Sequence, residues 1–168
     1  NTTGLQNTAV GARALFANTT GLYNTGVGMS SLVANNTGQH NTGLGYQSLQ
    51  SNTTGVSNTS VGSRALSFAV TNSNNTALGA DALVGITGSH NTGIGANALY
   101  STGNAEFNTA VGFNALAGYN AGWNNTIIGA QADISFAAQY NSIAIGNLAV
   151  ATDNSKVRIS NASNWSYE

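Results

Sequence analysis

Apolar residues along this chain return with a period of 17, not with the period of a single strand or helix. An aliphatic residue stands at Val10, Val27, Leu44, Val61, Leu78, Ile94, Val111, Ile128 and Ile145. Each is followed by a glycine, at Gly11, Gly28, Gly45, Gly62, Gly79, Gly95, Gly112, Gly129 and Gly146, and only the step from Gly79 to Gly95 is 16 instead of 17. Four residues past that glycine come Leu15, Leu32, Leu49, Leu66, Leu83, Leu99 and Leu116, until Asp133 and Val150 break the series. The polar positions keep the same step. Asn7, Asn24, Asn41, Asn58, Asn75, Asn91, Asn108 and Asn125 precede the glycine by four, each followed by a threonine, from Thr8 to Thr126. A weaker glycine position lies seven before, at Gly4, Gly21, Gly38, Gly55, Gly88 and Gly122.

A fixed period of this length is the mark of stacked coils. Two glycine positions and two short runs per coil predict two strands joined by two tight turns, with Gly and Asn supplying the positive φ that corners need. The segments GARAL, GANAL and GADAL are helical in composition, but they are too short to stand as helices; they read as the second strand or the corner leading into it. The expected fold is all-β, a parallel β-solenoid (β-roll) of about nine coils of 16–17 residues over residues 1–155. Residues 156–168 leave the pattern as a C-terminal strand or cap. Strands stacked about 4.8 Å apart give a rod roughly 43 Å long. In such a stack Asn and Thr form ladders that bond to the copies above and below. Asn7, Asn24, Asn41 and Asn58, with Gly11, Gly28, Gly45 and Gly62, typify the expected structural ladder.

Alternation within NTAVG puts Thr and the aliphatic residue on one strand face. The middle position, on the other face, is small: Ala9, Gly26, Gly43, Ser60, Ala77, Gly93, Ala110 and Ala144, with Ile127 the exception. Small residues then fill a thin interior, and a stripe of Val, Leu and Ile faces outward. A continuous apolar stripe needs covering, and self-association about an axis parallel to the rod would cover it.

Charged residues make up 5% of the chain and the net charge is −1, against roughly 25% charged in ordinary soluble domains. Nothing here attracts nucleic acid or an anionic membrane surface. No apolar run approaches the ~18–20 residues of a membrane helix, so membrane insertion is not expected. The chain starts inside its pattern, as a piece of a longer protein would.

The acids Asp81, Glu106, Asp133, Asp153 and Glu168 fall on different coils and phases, and no catalytic, phosphate-binding or metal motif is present; neither an enzyme nor a cofactor is expected. His40 and His90 share one column with Gln6, Tyr23, Ser57, Asn74, Phe107, Asn124 and Asn141, a variety that suits a solvent-facing corner. On a threefold axis, three copies of such a His could hold a metal. Asn-x-Ser/Thr sequons begin at Asn1, Asn18, Asn35 and Asn52 as a by-product of the repeat. Aromatic residues gather late in the chain. Tyr100, Tyr119, Trp123 and Tyr140, the last three beside Asn residues, are the candidates for stacking on a sugar ring; corner packing is their plainer role.

The motifs NTAVGARAL, NTGIGANAL, NTAVGFNAL and NSIAIGNLAVATDNS, over residues 1 to about 155, resemble the head repeats of trimeric autotransporter adhesins. They are similar also to repeats of phage tail fibres and bacterial surface fibres that end in an endosialidase-type intramolecular chaperone. The resemblance implies a left-handed β-roll, a parallel homotrimer and an extracellular place on a bacterial surface or a virion tail fibre. It also implies a structural and adhesive role toward a cell-surface glycan or protein receptor. The segment KVRISNASNWSYE resembles the stretch before such a chaperone, which cuts itself off just before a serine. The coil departs from the 14-residue pattern usual in adhesin heads. Two other functions compete: an ice-binding solenoid using its Thr ladder, and a phage polysaccharide depolymerase.

Overall fold

A computed structural model describes residues 2–100, 103–118 and 121–159. The chain is a parallel β-solenoid of about nine turns of about 17 residues, with no helix among the described residues. One face of every turn is a three-residue strand: β1 (Thr8–Val10), β2 (Thr25–Val27), β3 (Thr42–Leu44), β4 (Thr59–Val61), β5 (Thr76–Leu78), β6 (Thr92–Ile94), β7 (Thr109–Val111), β8 (Thr126–Ile128), β10 (Ile143–Ile145) and β12 (Val157–Ile159). These make one ten-stranded parallel sheet in chain order. Like pairs with like, Thr8 with Thr25, Val10 with Val27 and Val111 with Ile128. The 16-residue step leaves the register intact, Thr76 pairing with Thr92, so the missing residue is absorbed outside the strand. The segment that leaves the sequence pattern still joins the sheet. Ile145 pairs with Ile159, which makes the last turn 14 residues long.

The second strand expected in each coil is absent over most of the stack. Among the described residues it occurs only as β9 (Asp133–Ile134) paired with β11 (Val150–Ala151). Elsewhere GARAL and its copies turn continuously, because their third and fifth residues adopt left-handed backbone: Arg13 has φ 61° and Leu15 φ 50°, and Leu32 to Leu116 repeat the pattern. A strand needs φ near −120°. Left-handed backbone costs an L-residue about 1–2 kcal/mol. Here it aims each leucine into the coil, where Leu32 through Leu116 are fully buried, and burial of a leucine returns about 1.5–3 kcal/mol. The Leu amide also bonds to the next coil, as from Leu66 N–H to Ala82 O at 3.0 Å. Burial and this bond together outweigh the strain.

Asp133 and Val150 stand where the leucine is lost, and there the backbone is extended. The inward role then passes one residue along, to the buried Ile134 and Ala151. Ile127, the one large residue in the small column, is buried in the turn that lacks its leucine. The anchor glycines have φ between +122° and +141°, and a Cβ on Gly62 would lie 2.4 Å from Gly79 O. No side chain fits there.

Candidate functional site

Two polar ladders form one wall of the interior. In the first, each Asn Oδ1 accepts the backbone N–H of its copy in the next turn: Asn24 N–H to Asn7, Asn41 to Asn24, and Asn58 to Asn41, at 2.8–3.0 Å. Each Nδ2 donates to a carbonyl 13 or 14 residues on, as Asn41 does to Gly55 O at 2.7 Å. The second ladder, Asn18, Asn35 and Asn52, runs by amide-to-amide bonds of 2.7–2.8 Å. Its signal was the 17-residue return of the sequons. All three are buried, so none is open to a glycan. Ala69 occupies the next rung, and Asn52 Oδ1 is left without a partner. The threonines behave differently from the ladder expected of them. The column from Thr8 to Thr126 faces outward and its hydroxyls do not bond to one another.

The aliphatic column also faces outward. Val10, Leu44, Leu78, Ile94 and Ile128 are 37–56% exposed, and with the half-buried Val27, Val61, Val111 and Ile145 they line the whole sheet. At the preceding corner, aromatic rings stack from turn to turn. Tyr23 lies on His40 at 4.8 Å, His90 on Phe107 at 4.7 Å and Trp123 on Tyr140 at 5.0 Å, the ring planes nearly parallel in each pair. The two histidines are three turns apart, about 14 Å. Within one chain they share no site.

Opposite chemistry lines a groove of about 550 Å³ formed by Arg64, Asp81, Asn97, Tyr100, Asn114, Ala117, Gly118, Gln131 and Asp133. Five of these are the same position, two residues past the anchor glycine, in five successive turns. Arg64 pairs with Asp81 at 2.8 Å, and Asn97 Nδ2 donates to Asn114 Oδ1 at 2.9 Å. Asp81 Oδ1 is buried without a partner. Burial raises the pKa of Asp133, and the N–H groups of Ile134 and Gly118 partly offset it. A Cβ on Gly118 would meet Asp133 Oδ2 at 2.7 Å, so the glycine makes room for this carboxylate.

Of the four aromatic candidates, Tyr100 lines the groove, Trp123 and Tyr140 stack on each other at a corner, and Tyr119 lies outside the described residues. The three described ones do not form one cluster. Asp81 and Asp133 stand out in the sequence only as isolated acids, and the groove that holds them does not show there because its column varies from Arg to Asp, Asn and Gln. Compared with known proteins, the chain matches no family model and no curated protein.

Proposed function

We propose that this solenoid is a structural and adhesive segment of an extracellular homotrimeric fibre, on a bacterial surface or a virion tail, which spaces and displays a receptor-binding region. The supporting observation is the outward aliphatic stripe. It runs unbroken along an in-register parallel sheet, and it is more than a solitary rod would leave to water. Three chains, coiled left-handed and running parallel, cover the stripe with copies of itself. The closing 14-residue turn supports the kinship with adhesin heads, whose coils have that length.

A receptor-binding role rests on the groove. Asp81 and Asp133 stand three turns apart, about 14 Å along the rod, whereas glycoside hydrolysis sets its two carboxyls within roughly 5–9.5 Å. Binding without cleavage therefore fits better than depolymerase chemistry.

The outward, unbonded Thr column keeps ice binding as the second reading. Eight strands of the sheet offer one Thr each beside an aliphatic neighbour, a thin lattice match, and thermal hysteresis of the purified protein is expected to be nil.

Light scattering tests the assembly. The fibre requires a mass near 51 kDa, three times 17.0 kDa; a stable species at 17.0 kDa refutes it.

A further inference from the structure

We infer that the polar groove on the fourth to eighth turns binds a neutral, hydroxyl-rich saccharide chain lying along the rod. The choice of a glycan rests on the adhesive reading above; the site itself is built from a single chain. Its volume of about 550 Å³ falls in the usual range for ligand clefts, roughly 300–1,000 Å³. From Arg64 to Gln131 the column climbs four steps, about 19 Å, so the groove is long enough for several sugar units.

The lining is suited to hydroxyl groups. Asp81 lines the groove with its side chain 20% exposed, and a carboxylate held by one arginine keeps lone pairs for a ligand O–H. Asn97 and Asn114 use one donor and one acceptor on each other. That leaves the Asn97 carbonyl and the Asn114 amide nitrogen for a ligand, and Gln131 offers both kinds of group. Tyr100, 45% exposed at the groove wall, supplies an apolar ring face on which a pyranose can rest.

Charge narrows the class. Arg64 is engaged by Asp81, which leaves Asp133 as the unbalanced group, so sialylated or uronate-rich chains meet repulsion rather than a cationic clamp. A cation is no better served, since the described residues hold no group of three or more His, Cys, Asp or Glu around a common point.

The test is a printed array of neutral hexose and N-acetylhexosamine oligosaccharides beside sialylated and uronate-containing ones. It is probed with the native chain and with Tyr100→Ala, Asn114→Ala, Tyr100→Phe and Trp123→Ala. Circular dichroism first establishes that each variant is folded. The groove requires binding to neutral chains, weaker by about tenfold or more in Tyr100→Ala and Asn114→Ala, kept in Tyr100→Phe and unchanged in Trp123→Ala. Absence of neutral-saccharide binding overturns it, as does preference for anionic chains or a loss confined to Trp123→Ala. A trimer that binds no saccharide removes the groove and leaves the fibre; a monomer that binds through Tyr100 does the reverse.

Discussion

Truncation of Asn125 to alanine removes three buried hydrogen bonds to the backbone at once. Asn125 Oδ1 accepts the Ser142 N–H at 2.9 Å, and Nδ2 donates to Ala121 O and Gln139 O, both at 2.7 Å. All four residues are fully buried. Each of the three backbone groups loses its side-chain partner, and the Ser142 amide has no other acceptor among the described residues. A buried polar group left unpaired costs roughly 1–3 kcal/mol, so three give about 3–9 kcal/mol. Entry of water into the emptied space would bring the loss toward the lower figure. Even that is a large share of the ~5–15 kcal/mol that holds an ordinary domain folded. The control is Asn147→Ala, which breaks one exposed bond, from Asn147 Nδ2 to Ala130 O, and is expected to cost below about 0.5 kcal/mol. Guanidinium unfolding followed by circular dichroism measures both, and hydrogen exchange at the Ser142 amide localises the damage. If Asn125→Ala loses under about 1 kcal/mol, with the Ser142 amide still protected, the ladder is ornamental and the reasoning fails.

Gly62→Ala places a methyl 2.4 Å from Gly79 O at φ +136°; a loss of at least about 3 kcal/mol in the same unfolding assay is expected, and a neutral result would mean the turns are not stacked this closely. Burial raises the Asp133 pKa, so the folded chain holds that proton more tightly than the unfolded chain. Its contribution is greatest below the ordinary value of 3.8 and falls as pH rises through the higher native pKa. Asp133→Asn is therefore expected to raise the melting temperature at neutral pH, with the gain vanishing in acid; a loss at neutral pH would show that the Ile134 and Gly118 bonds dominate. Leu44→Glu with Leu78→Glu puts two charges into the aliphatic stripe and is expected to lower the mass by light scattering to 17.0 kDa, while an unchanged trimer would place the interface elsewhere.

The stack was legible because the anchor glycine recurs nine times and the Asn and Leu columns eight and seven times, and the outward stripe followed from alternation across three residues of NTAVG. The leucine corners were not. Leucine ordinarily avoids left-handed backbone, and only the closed coil, which supplies a core for the side chain and a carbonyl for the amide, makes that conformation worthwhile. Asp133 shows the converse, since loss of the leucine restores the strand and turns the acid outward into the groove. The groove itself was hidden because its polar column shares a place in space but no residue type, and period-based reasoning sees only sameness. Among the aromatics, position alone separated Tyr100 from Trp123 and Tyr140, and their sequence surroundings gave no hint of it.

Spin labels placed one at a time at Val27→Cys, Val61→Cys and Val111→Cys address the packing of the stripe most directly, with label-to-label distances read by pulsed electron resonance. Three sister chains running parallel and in register around the stripe give one short, narrow distance, the same at all three positions. Absence of coupling, or a separation that grows from the middle toward either end as antiparallel chains would produce, contradicts it.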